Sequence, residues 1–131
     1  MIEVTEAEVK KGVEDYLQYL MNQGKLWYAR LNAGDIPIEN KDGSRRMFKG
    51  VKAGTADFIV IQGGEVQMVH TTQQRIHKTH PIAFVTFIEC KSTKGKIREE
   101  QEEFAEQIKS LNCKYFVVRD ADEMQGILER E

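Results

Sequence analysis

Cysteine is scarce in this sequence: Cys90 and Cys113 are the only two, they sit in unrelated contexts, and they form no C-x-x-C pair. That argues against a disulfide framework and predicts two small core residues in a reducing compartment. The three histidines, His70, His77 and His80, have no cysteine near them and no common zinc spacing, which argues against a zinc site. No apolar run is long enough to cross a bilayer, and the first residues hold no secretory apolar core, so a soluble, cytoplasmic protein with no membrane role is expected. A strong charge of either sign is missing as well. The net charge of −2 neither favours nor excludes a polyanionic partner, because phosphate is bound by a local patch and not by the whole-chain sum. No repeat, low-complexity tract or linker divides the chain, and its 131 residues suffice for one core but not for two ordinary ones. Residues 1–131 are therefore expected to form a single domain.

What is present is segregated. Between Lys41 and Lys52 stand Lys41, Arg45, Arg46, Lys49 and Lys52 against the single Asp42, while much of the acid lies in two flanking helical segments. The first of these runs from about Glu6 to Met21, with Val9, Val13, Tyr16, Leu17 and Leu20 at amphipathic spacing. Thr5 with Glu8 fits a capping box, and Val4 with Val9 a hydrophobic staple. A strand follows at Leu26–Leu31, then a long loop or loose hairpin over residues 32–53 turning at Asp42-Gly43. Phe58–Ile61 reads as a strand ended by Gly63-Gly64, and Ala83–Lys91 as the strongest strand in the chain. The segment between them could continue a hairpin and then cross over. A helix from Arg98 to about Leu111, the strand "YFVV" and a short helix near Ala121–Leu128 complete the order. The fold class is α/β, with helices around a central mixed sheet.

One stretch poses a chemical question. In "GTADFIVIQGG", Asp57 stands at the mouth of an apolar strand, where an ionised carboxylate is costly without hydrogen bonds, a basic partner or a cation. In the strand ending at Lys91, alternate side chains share a face, so Glu89 and Lys91 point one way with Phe87 while Ile88 and Cys90 point the other. Two carboxylates a few ångströms apart repel by roughly 4 kcal/mol at an effective dielectric of about 20, and a divalent cation turns that repulsion into binding. Oxygen ligands of this kind suit Mg²⁺ or Mn²⁺. Lys91 would orient the attacking water or stabilise charge on phosphate. Gln101, on the first turn of the next helix and three residues before Phe104, would face the sheet and reach the same place.

Asp57, then Glu89-Cys90-Lys91, then Gln101, resembles the core of the PD-(D/E)XK nucleases. "GTAD" stands where many members of the VRR-NUC branch have Gly-x-Pro-Asp, Val117-Val118-Arg119 matches the element for which that branch is named, and "RLNAG" (Arg30 to Gly34) is similar too. The resemblance implies a restriction-endonuclease-like fold and a metal-dependent, structure-selective endonuclease. Stand-alone phage and bacterial members of this kind act as homodimers on branched DNA such as Holliday junctions. It further implies Asp57, Glu89 and the backbone carbonyl of Cys90 as metal ligands, Lys91 as the catalytic lysine, Gln101 as their support, and a helix-borne glutamate near the metal. Glu8 fits that last position best, with Glu14 second, although the capping box accounts for Glu8 without any catalytic role. Two departures stand out: Thr55-Ala56 replaces the residue and proline before the aspartate, leaving a less rigid turn, and the segment Val66–Pro81, with its histidines, Arg75 and Lys78, is longer than the core needs.

Arg45, Arg46, Lys49 and Lys52 would track a DNA backbone, with Lys94 and Lys96 gripping phosphate next to the cleaved bond. Arg119 would bind a phosphate or pair with Asp120, Asp122 or Glu123. No helix-turn-helix or zinc finger is evident, which favours selection by structure over selection by sequence. The rival readings are a nuclease of the same fold acting on flaps, ends or plain duplex, and a binding module that grips nucleic acid without cutting it.

Overall fold

The capping box sets the first helix. Glu8 N–H donates to Thr5 Oγ1 and Thr5 N–H to Glu8 Oε2, both at 3.2 Å, and α1 runs Glu6–Asn22 from that start. The computed structural model describes residues 2–31, 35–69 and 77–129. Beyond α1 these comprise β1 (Trp27–Arg30), β2 (Asp35–Glu39), β3 (Arg45–Lys49), β4 (Phe58–Val69), β5 (His77–Cys90), α2 (Glu99–Ser110), β6 (Lys114–Val118), a 3₁₀ turn (Ala121–Glu123) and α3 (Met124–Leu128). None of the described helices is long and apolar enough to cross a membrane.

The main sheet has the order β1-β4-β5-β6. The first two pairings are antiparallel, whereas β5 and β6 run parallel, joined by the crossover helix α2. This is the expected α/β architecture, a mixed sheet flanked by helices. Period-two alternation divides the side chains of β5 between the faces. Ile88 and Cys90 join Val9, Val13 and Leu17 of α1, Phe58 and Val60 of β4, and Met124 and Leu128 of α3 in one buried cluster. On the opposite face Phe87 meets Phe104 of α2 edge-on at 5.2 Å, and Phe104 meets Tyr115 of β6 at 6.1 Å. Glu89, two residues beyond Phe87, thus points to the α2 side.

The structure departs from the sequence reading at Gly63-Gly64, which do not end β4. The β4–β5 ladder continues through Gly63↔Ala83 and Gly64↔Ile82 to Val69↔His77. A Cβ at Gly64 would run into the Phe84 ring, so this glycine makes room for a cross-strand aromatic and does not break the strand. The segment after Val66 therefore extends the hairpin as a two-stranded arm past the short outer strands. On it His80 is exposed and faces Val66, while His70 and Arg75, and the side chains of His77 and Lys78, lie outside the described residues.

Of the two expected shapes, a long loop or a loose hairpin, residues 35–49 form the hairpin, a separate two-stranded unit of β2 and β3. Its turn is made by Asp42, whose Oδ1 accepts from Ser44 N–H at 2.9 Å and Ser44 Oγ at 2.6 Å, and by Gly43 at φ 88°.

Candidate active site

Asp57 stands just before the ladder between β4 and β5 begins at Phe58↔Ile88. Its side chain takes the place of the missing strand partner: Oδ2 accepts from Cys90 N–H at 2.7 Å. That charge-assisted bond caps the end of β5 and fixes the carboxylate, while the Asp57 carbonyl accepts from Leu31 N–H at 2.7 Å. Oδ1 is left facing a cavity, 3.4 Å from Lys10 Nζ.

The turn leading to Asp57 is held without proline. Thr55 bonds the Lys52 carbonyl twice, through N–H at 3.1 Å and Oγ1 at 2.6 Å, and Ala56 is fully buried. Gly54 has φ +92°, and a Cβ there would come within 2.5 Å of the Glu100 carbonyl oxygen. Only glycine allows the loop both that conformation and that approach to the first turn of α2. The loop is thus held by close packing and its Thr55 turn, where the sequence had suggested a slacker one.

Glu89 is only 4 % exposed. Its Oε1 accepts from Gln101 Nε2 at 2.9 Å, and Gln101 Oε1 in turn accepts from Arg98 N–H at 2.9 Å. Gln101 therefore bridges the N-terminus of α2 to the carboxylate, and both ends of its amide are committed. Glu89 Oε2 is buried without a partner. Lys91, also buried, is anchored by its N–H to the Val118 carbonyl at 3.0 Å. These four side chains line one cavity of about 260 Å³ together with Glu6, Lys10, Arg30 and Arg98.

The electrostatics follow from burial and crowding. Desolvation, then the neighbouring Asp57 charge, pushes the Glu89 carboxyl up to about 8, with Lys91 partly opposing the rise. Burial, with Asp57 and Glu89 adding to it, pushes the Cys90 thiol up to about 12, so only its backbone is a candidate for chemistry here. Desolvation alone would lower Lys10, but the carboxylates of Asp57 and Glu6 outweigh it and raise its pKa.

Among the described residues no three His, Cys, Asp or Glu side chains group closely enough to hold a metal. The donor set is the pair Asp57 and Glu89. That set fits a hard divalent cation, which commonly takes one or two carboxylates and keeps waters. The orphaned Glu89 oxygen beside a second carboxylate is the kind of buried acceptor that such an ion satisfies.

The structure corrects two assignments. Glu8 is exposed and its carboxylate is spent on Thr5 N–H; the α1 glutamate at the cavity is Glu6, one helical turn before Lys10 and 3.4 Å from it. Glu14 lies farther along the same stripe, beside Tyr28 Oη at 3.4 Å and Arg30 at 3.8 Å. Glu6, Lys10 and Glu14 follow an i, i+4, i+8 spacing next to the buried Val9 and Val13, a signal the sequence carried and the capping pattern obscured. Arg119, expected to bind phosphate or a nearby acid, instead donates from Nη1 to the Ser92 and Gly95 carbonyls at 2.8 and 2.7 Å. It staples the loop after Lys91, and Glu123 accepts only its backbone N–H, at 3.3 Å. Arg45, Arg46, Lys52, Lys94 and Lys96 do not line the cavity. Arg45, Arg46, Lys52 and Lys96 are exposed, Lys94 pairs with Glu3 at 2.6 Å on the surface, and Lys49 lies in β3 with its side chain outside the described residues.

Two outcomes are expected. Because the folded pKa of Glu89 lies near 8 against an ordinary 4.5, the native state holds a proton that the unfolded state loses. Stability without metal should fall as pH rises from about 4.5 to 8 and then level, and Glu89→Gln should flatten that fall in melts recorded across the range. Gly54→Ala should cost at least about 1–2 kcal/mol from the positive φ alone, read as a lower urea midpoint, and should also displace Asp57.

Compared with known families, residues 7–122 match the profile of the VRR-NUC domain. No curated protein and no solved structure matches the chain. The match spans Asp57, Glu89, Lys91 and Gln101 in a mixed sheet flanked by helices, in keeping with the PD-(D/E)XK superfamily, and the chain belongs to the VRR-NUC family of nuclease domains.

Proposed function

We propose that this chain is a Mg²⁺- or Mn²⁺-dependent deoxyribonuclease that hydrolyses phosphodiester bonds of branched DNA, such as four-way junctions, as a homodimer. The observation that carries the reading is the buried carboxylate of Glu89, fixed by Gln101 at one oxygen and unpartnered at the other, in one cavity with Asp57 and Lys91. A purely structural site would have no reason to bury an acid in this way.

Asp57, Glu89 and the Cys90 carbonyl would hold the metal in this mechanism. When bound, Mg²⁺ or Mn²⁺ would polarise the scissile phosphate and ease deprotonation of a water. Asp57 needs little reorganisation, since the Cys90 N–H already fixes its Oδ2. Gln101 holds Glu89 in one orientation through its own bond to Arg98 N–H. Lys91 orients the attacking water and offsets negative charge gathering on the phosphate, in a pocket where burial strengthens the interaction. Glu6, at the rim, takes the place the resemblance had given to Glu8.

The hairpin residues Arg45, Arg46 and Lys49, with Lys52, Lys94 and Lys96, supply sequence-independent contacts to DNA phosphates. Arg119 Nη1 is engaged by the Ser92 and Gly95 carbonyls, so a phosphate contact from this residue falls to its remaining guanidinium N–H groups. A homodimer would carry two such sites, suited to paired nicks across a junction.

End-labelled four-way junction and matching linear duplex, incubated with Mn²⁺, test the reading. Symmetric nicks near the crossover are expected on the junction alone, with a loss of at least about 100-fold in Lys91→Ala. Cutting of duplex, flaps or ends would move the substrate assignment, and binding with no cut under either metal would mark a non-catalytic module. In parallel, Mn²⁺ at about 100 times its dissociation constant should stabilise the protein by about 2.7 kcal/mol; a melting temperature indifferent to saturating Mn²⁺ would refute the preformed site.

A further inference from the structure

We infer that Lys10 is an exchangeable counter-ion: its ammonium neutralises Asp57 in the metal-free protein, is displaced when a divalent cation takes that carboxylate, and then serves a backbone phosphate of the substrate in the adjoining cavity. The inference rests on the metal-dependent reading of the site.

Oδ2 of Asp57 already accepts from Cys90 N–H at 2.7 Å, so Oδ1, the atom now 3.4 Å from Lys10 Nζ, is the freer of the two oxygens for a cation. The same ammonium lies 3.4 Å from Glu6 Oε2. Both separations exceed the roughly 2.7–2.9 Å of a tight charge-assisted hydrogen bond. Lys10 is thus shared loosely between two carboxylates and not locked to either. An ammonium and a divalent cation cannot occupy the same position beside Oδ1, because like charges at that range repel strongly.

The displaced side chain has somewhere to go. A second cavity of about 350 Å³ adjoins the first and shares Glu6, Lys10 and Arg30 with it, with Lys11 and Glu14 completing its polar wall. Lys11 is already paired with Asp15 at 3.0 Å, and Arg30 only weakly with Glu14 at 3.8 Å. Lys10 and Arg30 are therefore the cations that reach both cavities. A flexible four-carbon stem lets the Lys10 ammonium move between them with α1 fixed. A phosphate seated there would meet the Lys10 and Arg30 cations, whose charge the Glu6 and Glu14 carboxylates on the same wall partly offset, and would neighbour the one being cleaved. Exchange of Lys10 from carboxylate to phosphate then couples metal binding to the grip on substrate.

An ordinary structural salt bridge would behave differently, and the difference can be measured without turnover. Mn²⁺ binding to the DNA-free protein is followed by titration calorimetry for wild type, Lys10→Met and Lys10→Arg, with melting curves to show that each is folded. Lys10→Met should bind Mn²⁺ about fivefold more tightly, the scale of one partly exposed ion pair, whereas Lys10→Arg should keep the wild-type affinity. Binding to a four-way junction is then measured against salt. With Ca²⁺ present, Lys10→Met should lower the slope of log K on log[salt] by about one; without a divalent cation the slope should match wild type. Equal or weaker Mn²⁺ affinity in Lys10→Met, alongside normal Mn²⁺ binding and cleavage by wild type, overturns the Lys10 exchange alone. Failure of the wild type to bind Mn²⁺ overturns the metal reading together with it.

Discussion

The crowding of Asp57, just before β4, against Glu89, near the end of β5, is the constraint around which this domain is organised. A carboxylate as enclosed as Glu89 is expensive to ionise, and a second one alongside makes it more so. The surrounding groups each offset part of that cost: the Gln101 amide on one oxygen, the Cys90 N–H on Asp57, and the Lys91 and Lys10 ammonium groups on the net charge. They do not offset all of it. One oxygen of Glu89 remains unpaired, so the fold keeps a local cost at this position. Such trade of stability for function is common where a site must be ready before its ligand arrives.

The fold holds this arrangement from three directions. The parallel crossover from β5 to β6 brings the first turn of α2 over the end of β5, which is why Gln101 can reach Glu89 across 12 positions of sequence. The loop before Asp57 presses against that same turn through Gly54. On the far side, Arg119 at the end of β6 grips the carbonyls of Ser92 and Gly95, and Thr93 exchanges backbone and side-chain bonds with Val4 at the head of α1. The stretch following Lys91 is therefore tied to both the last strand and the first helix. A pocket built on such supports loses little to rearrangement when a ligand enters.

Much of this was legible before any coordinates. Asp57, Glu89, Lys91 and Gln101 could be brought together on paper because strands alternate their side chains by two and a helix starting near Arg98 turns Gln101 inward along with Phe104. The α1 carboxylate was not legible in the same way. Glu8 satisfied a local capping rule, and a residue that explains itself locally draws attention from Glu6, whose role depends on which helix face meets β5. Gly63-Gly64 misled for a related reason: two glycines weaken a strand in general, yet here one of them accommodates the Phe84 ring of the neighbouring strand.

Sequence by itself determined the helices, the order of the main elements, the basic character of the segment after Leu31 and the chemical identity of the four central side chains, because capping, periodicity and strand alternation act over a few residues and need no knowledge of the rest of the chain. The tertiary structure decided how the long-range contacts are used. It tied Arg119 Nη1 to the loop after Lys91, gave Cys90 N–H to Asp57, and set Lys10 between Asp57 and Glu6. These outcomes depend on distances between elements far apart in sequence, and hydrogen bonds and ion pairs are decided by distances of that kind.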